Sequence, residues 1–126
     1  MIVLASFTAA VFAFLGLLHF YWAMRGVSGN SVAIPEIDGT PAFKPTKAAT
    51  AAVGLVLLGT AAIVLLQVKL LLTFAAAVLL LRAIGDFRLV GFFKRVRESR
   101  FARLDTLLYS PLCLALCAAL ALLAAG

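Results

Sequence analysis

Long apolar runs separated by short polar segments make up the chain. The first runs from Ile2 to Met24, with no charge before Arg25. Roughly 20 apolar residues cross a hydrocarbon core, so this pattern predicts a span over about 2–24. It lacks a basic leading region and an Ala-x-Ala cleavage site, and reads as an uncleaved span rather than a signal peptide. The polar segment from Arg25 to Lys47 carries Gly26, Gly29, Pro35, Gly39, Pro41 and Pro45, which predicts a loop. From Ala48 to about Val90 the chain is again apolar except for Gln67, Lys69 and charges near its end. A single helix of that length would reach about 60 Å, twice the bilayer core. Gln67 and Lys69 therefore mark a tight turn between spans at about 48–66 and 70–90. A last span over about 105–125 begins where Asp105 is placed to cap its first turn. The expected fold is an all-α membrane protein, one four-helix transmembrane bundle.

Composition agrees with that pattern. Of the 126 residues, 65% are hydrophobic and 13% charged; the mean hydropathy is +1.16. Soluble domains run near 45–50% apolar and about 25% charged. A domain this small could not hide so much apolar surface from water. Disorder needs the opposite composition.

The net charge of +6 would suggest nucleic acid in a soluble protein. Here the basic residues flank apolar runs, which favours anionic lipid headgroups, above all at the loop Arg88–Arg103, and no nucleic acid. Arg25, Lys44, Lys47, Arg88, Lys94, Arg95, Arg97, Arg100 and Arg103 fall in the two long loops, against Lys69 alone in the short turn. The excess of basic residues marks the cytoplasmic side, so both termini are expected outside. The stretch Gly91–Leu104 reads as a basic juxtamembrane turn, because Arg97 and Arg100 interrupt the arc of Phe93, Val96, Phe101 and Leu104.

Candidate chemistry lies in the polar residues at membrane depth. Arg82 falls about 18 Å into its span, where a lone Arg costs at least ~2.5 kcal/mol. Its side chain leans towards the helix N-terminus, away from the near surface. Asp86, four residues on, is the expected counter-charge. His19 and Trp22 approach the same layer from the first span. Asp105, Tyr109 and Ser110 open the last one. Cys113 and Cys117 lie one turn apart on a stripe of small residues, Thr106, Ser110, Cys113, Cys117 and Ala121, which predicts close helix packing. Gly54, Gly59 and Ala75–Ala77 are read the same way. The cysteines lack a full ligand set for zinc, so no metal and no cofactor is assigned. No P-loop, HExxH or GxSxG string is present.

Three strings carry a resemblance: His19-Phe-Tyr-Trp-Ala23, Arg82-Ala-Ile-Gly-Asp-Phe-Arg88 running into Gly91-Phe-Phe-Lys94, and Phe101-Ala-Arg-Leu-Asp-Thr-Leu-Leu-Tyr-Ser-Pro-Leu112. Together they resemble the small bacterial membrane proteins grouped as domain of unknown function 3995. The resemblance implies four spans in a bacterial inner membrane, with both termini periplasmic on the charge argument above. It implies no activity.

The leading reading is a binding protein for a small amphipathic molecule or lipid headgroup. Its site would comprise His19, Trp22, Arg82, Asp86, Arg88, Asp105 and Tyr109. Arg82 would hold an anionic group and Asp86 would orient it. A second reading is an accessory subunit of a larger membrane complex, or a homo-oligomer. A third is a small membrane enzyme using His19 and a cysteine.

Overall fold

A computed structural model describes residues 1–25, 34–43, 45–87 and 89–126. Its elements are α1 (Ile2–Arg25), β1 (Glu36–Ile37), β2 (Thr40–Pro41), α2 (Lys47–Leu66), α3 (Lys69–Ile84), α4 (Arg100–Leu104), a π-helical turn (Asp105–Tyr109) and α5 (Ser110–Ala125). The fold is all-α apart from one short hairpin. Among the described residues three helical stretches are long and apolar enough to cross a membrane: Ile2–Arg25, Lys47–Leu66 and Arg100–Ala125.

Local chemistry sets the boundaries. Thr46 caps α2 by accepting the Ala49 N–H, 3.0 Å away. Gln67 ends it in the left-handed region at φ 56, and its side-chain amide donates to the Val64 carbonyl. That amide serves the turn where no Gly or Pro is available. The third expected span, about 70–90, is corrected: the helix stops at Ile84, because Gly85 takes φ 89. Its 16 residues reach only about 24 Å. The last helical stretch begins earlier than expected, at Arg100, capped by the Ser99 hydroxyl on the Ala102 N–H at 3.0 Å. Asp105 is therefore no N-cap; it lies one turn inside.

The first loop is also more ordered than expected. Ile37 pairs with Thr40 in an antiparallel hairpin, closed by Asp38 (φ 53) and Gly39 (φ 78). Two successive positive φ values make the mirror-image turn that suits the twist of paired strands, and Asp-Gly is a favoured pair there. Residues 26–33 of that loop, with Lys44 and Arg88, lie outside the described residues.

The helices associate as two antiparallel pairs, α1 with α2 and α3 with α5, and the pairs touch each other much less. Lys69 Nζ donates to the Leu123 carbonyl at 2.7 Å and to that of Gly126, and the Met1 side chain reaches Gly126. Both chain ends and the α2–α3 turn thus share one end, leaving the long connections at the other. The common apolar core belongs to the first of these ends. It contains Phe12 of α1, Val64 of α2, Leu72 of α3, and Leu116, Leu120 and Leu123 of α5. Outward faces stay apolar, as at Leu55, Phe74 and Leu107. Lipid tolerates such faces and water does not.

At the loop end the two pairs are built differently. A Cβ on Gly16 would sit 2.9 Å from the Gly54 carbonyl oxygen, and one on Gly54 would sit 2.9 Å from that of Gly16. The backbones of α1 and α2 therefore meet through reciprocal glycines. Gly59, expected on the same seam, has open space around it. On α5 the small-residue stripe is likewise corrected. Ala121 is exposed, and the buried face is Ser110, Leu116, Leu120 and Leu123.

Candidate functional site

The charged cluster centres on Asp105, whose side chain is 0% exposed. Arg82 Nη2 donates to its Oδ1 at 2.8 Å, and the Ser110 hydroxyl donates to the same oxygen at 3.0 Å. On Oδ2 the Gly91 N–H donates at 2.7 Å, and Lys94 Nζ lies 3.1 Å away. Every contact comes from a residue outside the regular part of a helix, or from a helix end. The sequence folds that way for identifiable reasons.

The first reason is Pro111. It has no N–H to give to the carbonyl four residues back, so an α-helical ladder cannot pass through it unbroken. The helix widens just ahead of it, and the Ser110 N–H bonds to the Asp105 carbonyl, five residues back. In an α-helix, positions five apart differ by roughly 140° around the axis. In the wider π turn, with its bonds five residues apart, they come much closer to one face. Ser110 is thereby brought over the Asp105 carboxylate.

The second reason is a glycine closure. Gly85 and Gly91 both have positive φ, 89 and 87. A Cβ on either would collide with the backbone of the other. Only glycine fits both positions. Phe92 N–H returns to the Ala83 carbonyl at 2.8 Å, and Asp86 Oδ1 accepts the N–H groups of Leu89 at 2.8 Å and Val90 at 3.2 Å. The closure aims the Gly91 N–H at Asp105 and turns Lys94 inward. Lys94 Nζ also donates to the Gly91 carbonyl at 3.0 Å and to the Thr106 hydroxyl.

Among the described residues two cations thus share one carboxylate, leaving one surplus positive charge. Buried charge is costly unless paired and hydrogen-bonded. Lys94 meets that condition with three acceptors. Arg82 meets it only in part: its side chain is 31% exposed, yet Nη1 is buried and lacks a hydrogen-bond partner. Arg82 stands at the edge of the cluster with one donor unused.

The expected pairing of Arg82 with Asp86 is corrected. A four-residue spacing brings two side chains together only while the helix continues, and α3 ends between them. Asp86 is exposed and holds the closure. His19 and Trp22 lie on the α1–α2 side. The rings pack edge to face, centroids 5.1 Å apart, and His19 Nδ1 is 2.7 Å from the carbonyl of Leu15 in its own helix. Tyr109 packs on Phe101, ring centroids 5.6 Å apart. Arg88 falls outside the described residues. Of the expected site residues, then, the structure joins Arg82 to Asp105 and adds Lys94, Gly91, Ser110 and Thr106. Lys94 was expected at the lipid surface and is instead only 2% exposed. No hydropathy signal distinguishes it from its basic neighbours; Pro111 inside an apolar run was the readable sign of irregularity nearby.

Cys113 and Cys117 are free and half-buried, and Cys117 packs against the apolar core. Among the described residues no three of His, Cys, Asp and Glu gather as a metal site would require.

Helices compatible with a membrane and a charged centre beside their long connections define the class of protein. Residues 12–120 match the family described as Protein of unknown function (DUF3995), and the chain belongs to that family. No curated protein and no solved structure matches it.

Proposed function

We propose that this is a four-span protein of a bacterial inner membrane. At Arg82 it binds the anionic group of an amphipathic molecule, such as a lipid headgroup. The surplus positive charge carries this reading: Arg82, Lys94 and Asp105 form a cluster with an excess cation and one buried, unpartnered guanidinium N–H. An incoming phosphate would neutralise the excess and accept that N–H, and guanidinium forks suit phosphate. Asp105 takes the orienting role expected of Asp86.

The α3 helix is short for a span, but the segment behind it includes buried Gly91 and Lys94. Irregular backbone at membrane depth is tolerated where protein surrounds it, and thinning of the bilayer accommodates a short helix. The basic loops face the cytoplasm and the termini the periplasm. Alkaline phosphatase fused after Gly126 is then active; an inactive fusion beside a fluorescent GFP fusion at the same point reverses the orientation.

The binding test uses spin-labelled phosphatidylglycerol and phosphatidylcholine with protein reconstituted in phosphatidylcholine vesicles. Wild type immobilises the anionic probe preferentially. Arg82→Gln loses that preference while keeping its helicity, with a smaller drop in Tm than Asp105→Leu, because Lys94 and Asp105 remain as a balanced pair. Arg103→Gln, an exposed control on the same side, retains it. Equal immobilisation of both probes by wild type, or an unchanged preference in Arg82→Gln, overturns the reading.

A further inference from the structure

Beside the loop end, the β1–β2 hairpin and the segment 95–100 enclose an open cleft of about 840 Å³. Its charge differs in kind from that of the Arg82 cluster. Three guanidiniums (Arg95, Arg97, Arg100) and three carboxylates (Glu36, Asp38, Glu98) line it, so the charges of its described lining balance. Yet the ion pairs among the described residues are those at Asp105. The six groups border one space without closing on one another.

Two of the arginines are also fixed in place. Arg95 Nε donates to the Phe87 carbonyl at 3.1 Å, and Arg97 Nη2 donates to the Phe92 carbonyl at 2.8 Å. Each tether leaves other N–H groups of the same guanidinium unused, and it reduces the side-chain entropy lost on binding. The carboxylates Glu36 and Asp38 stand on a hairpin whose strand pairing and turn fix their backbone positions.

We propose that this cleft binds a zwitterion carrying a phosphate and a primary ammonium, the phosphoethanolamine group. Guanidinium forks on one side match phosphate oxygens. Carboxylates on the hairpin side accept the three N–H bonds of an ammonium, which a quaternary choline cannot donate. Balanced charges in the described lining give a net anion little electrostatic advantage, which separates this site from Arg82. The group could arrive free in solution or as the headgroup of a phospholipid, since the cleft borders Arg100, where the last membrane-compatible helix begins.

The test compares ethanolamine with choline in two arms, using the full chain in phosphatidylcholine nanodiscs. In the first, glycerophosphoethanolamine and glycerophosphocholine are titrated calorimetrically. In the second, spin-labelled phosphatidylethanolamine is compared with spin-labelled phosphatidylcholine. Wild type prefers ethanolamine by about tenfold or more, the scale of one net hydrogen bond to a charged group. A preference in the first arm identifies a site open to the free headgroup, and one in the second arm alone identifies a lipid site. The double variant Glu36→Gln with Asp38→Asn removes the preference; Asn tolerates the positive φ of residue 38, so the hairpin persists. Preference that survives the double variant, or that is missing from wild type in both arms, refutes the proposal. Loss of phosphatidylglycerol selectivity in Arg82→Gln with ethanolamine preference intact shows two separate sites.

Discussion

The two helix pairs solve the same packing problem by opposite means. Near the loop end α1 and α2 meet backbone to backbone at Gly16 and Gly54, and side-chain hydroxyls there satisfy their own helix, as Thr50 does on the Thr46 carbonyl at 3.0 Å. At the same end α3 and the π turn that leads into α5 are joined by Arg82, Lys94 and Asp105. The first seam depends on an absence of atoms. The second depends on the presence of charge. In lipid the hydrophobic effect does not drive helices together, so close packing and polar contacts remain as the two available forces. The glycine seam is closed by backbone contact, whereas the ionic one ends in an unfilled donor.

That contrast predicts which change should break which pair. Asp105→Leu has the largest expected effect, because it strands two cations; breaking a buried pair costs about 3–5 kcal/mol in soluble proteins. Membrane couplings are often smaller, near 0.6 kcal/mol, so the loss is best read from a double-mutant cycle by unfolding in mixed micelles. Arg82 should couple to Asp105 and not to Asp86. Coupling to Asp86 of equal size would mean that the ion pair in the structure is not the energetic one.

A smaller loss is expected on the steric side. Gly54→Leu forces a side chain against the Gly16 carbonyl, and overpacking costs typically about 1–3 kcal/mol. Gly59→Leu, on the same helix with open space around it, should leave Tm nearly unchanged. Equal effects at both positions would show that helix propensity or lipid contact, not the α1–α2 seam, governs the response.

Much of the fold was legible along the chain. The apolar runs, the short turn at Gln67 and Lys69, and the sharing of one end by the termini and that turn all follow from hydropathy and length. The need of Arg82 for a counter-charge was legible too, because a charge set in so apolar a run is costly unless paired. Its partner was not. Asp86 was nearer in sequence, and nothing local announced that α3 would stop at Gly85. The Asp38-Gly39 turn was readable from its dipeptide, although the density of Gly and Pro around it suggested only a loop.

What the sequence by itself determined is the membrane-compatible character of the helices, the number of apolar runs and the uneven placing of basic residues along the chain. Those depend on sums over many residues, which no single contact can reverse. The tertiary structure alone decided that Lys94 turns inward, that Asp105 serves two cations, and that Gly91 rather than a side chain supplies a donor. These depend on a glycine closure and a π turn meeting within about 3 Å, the range of a hydrogen bond. Residues 14 and 23 positions apart reach that distance only after the chain has folded.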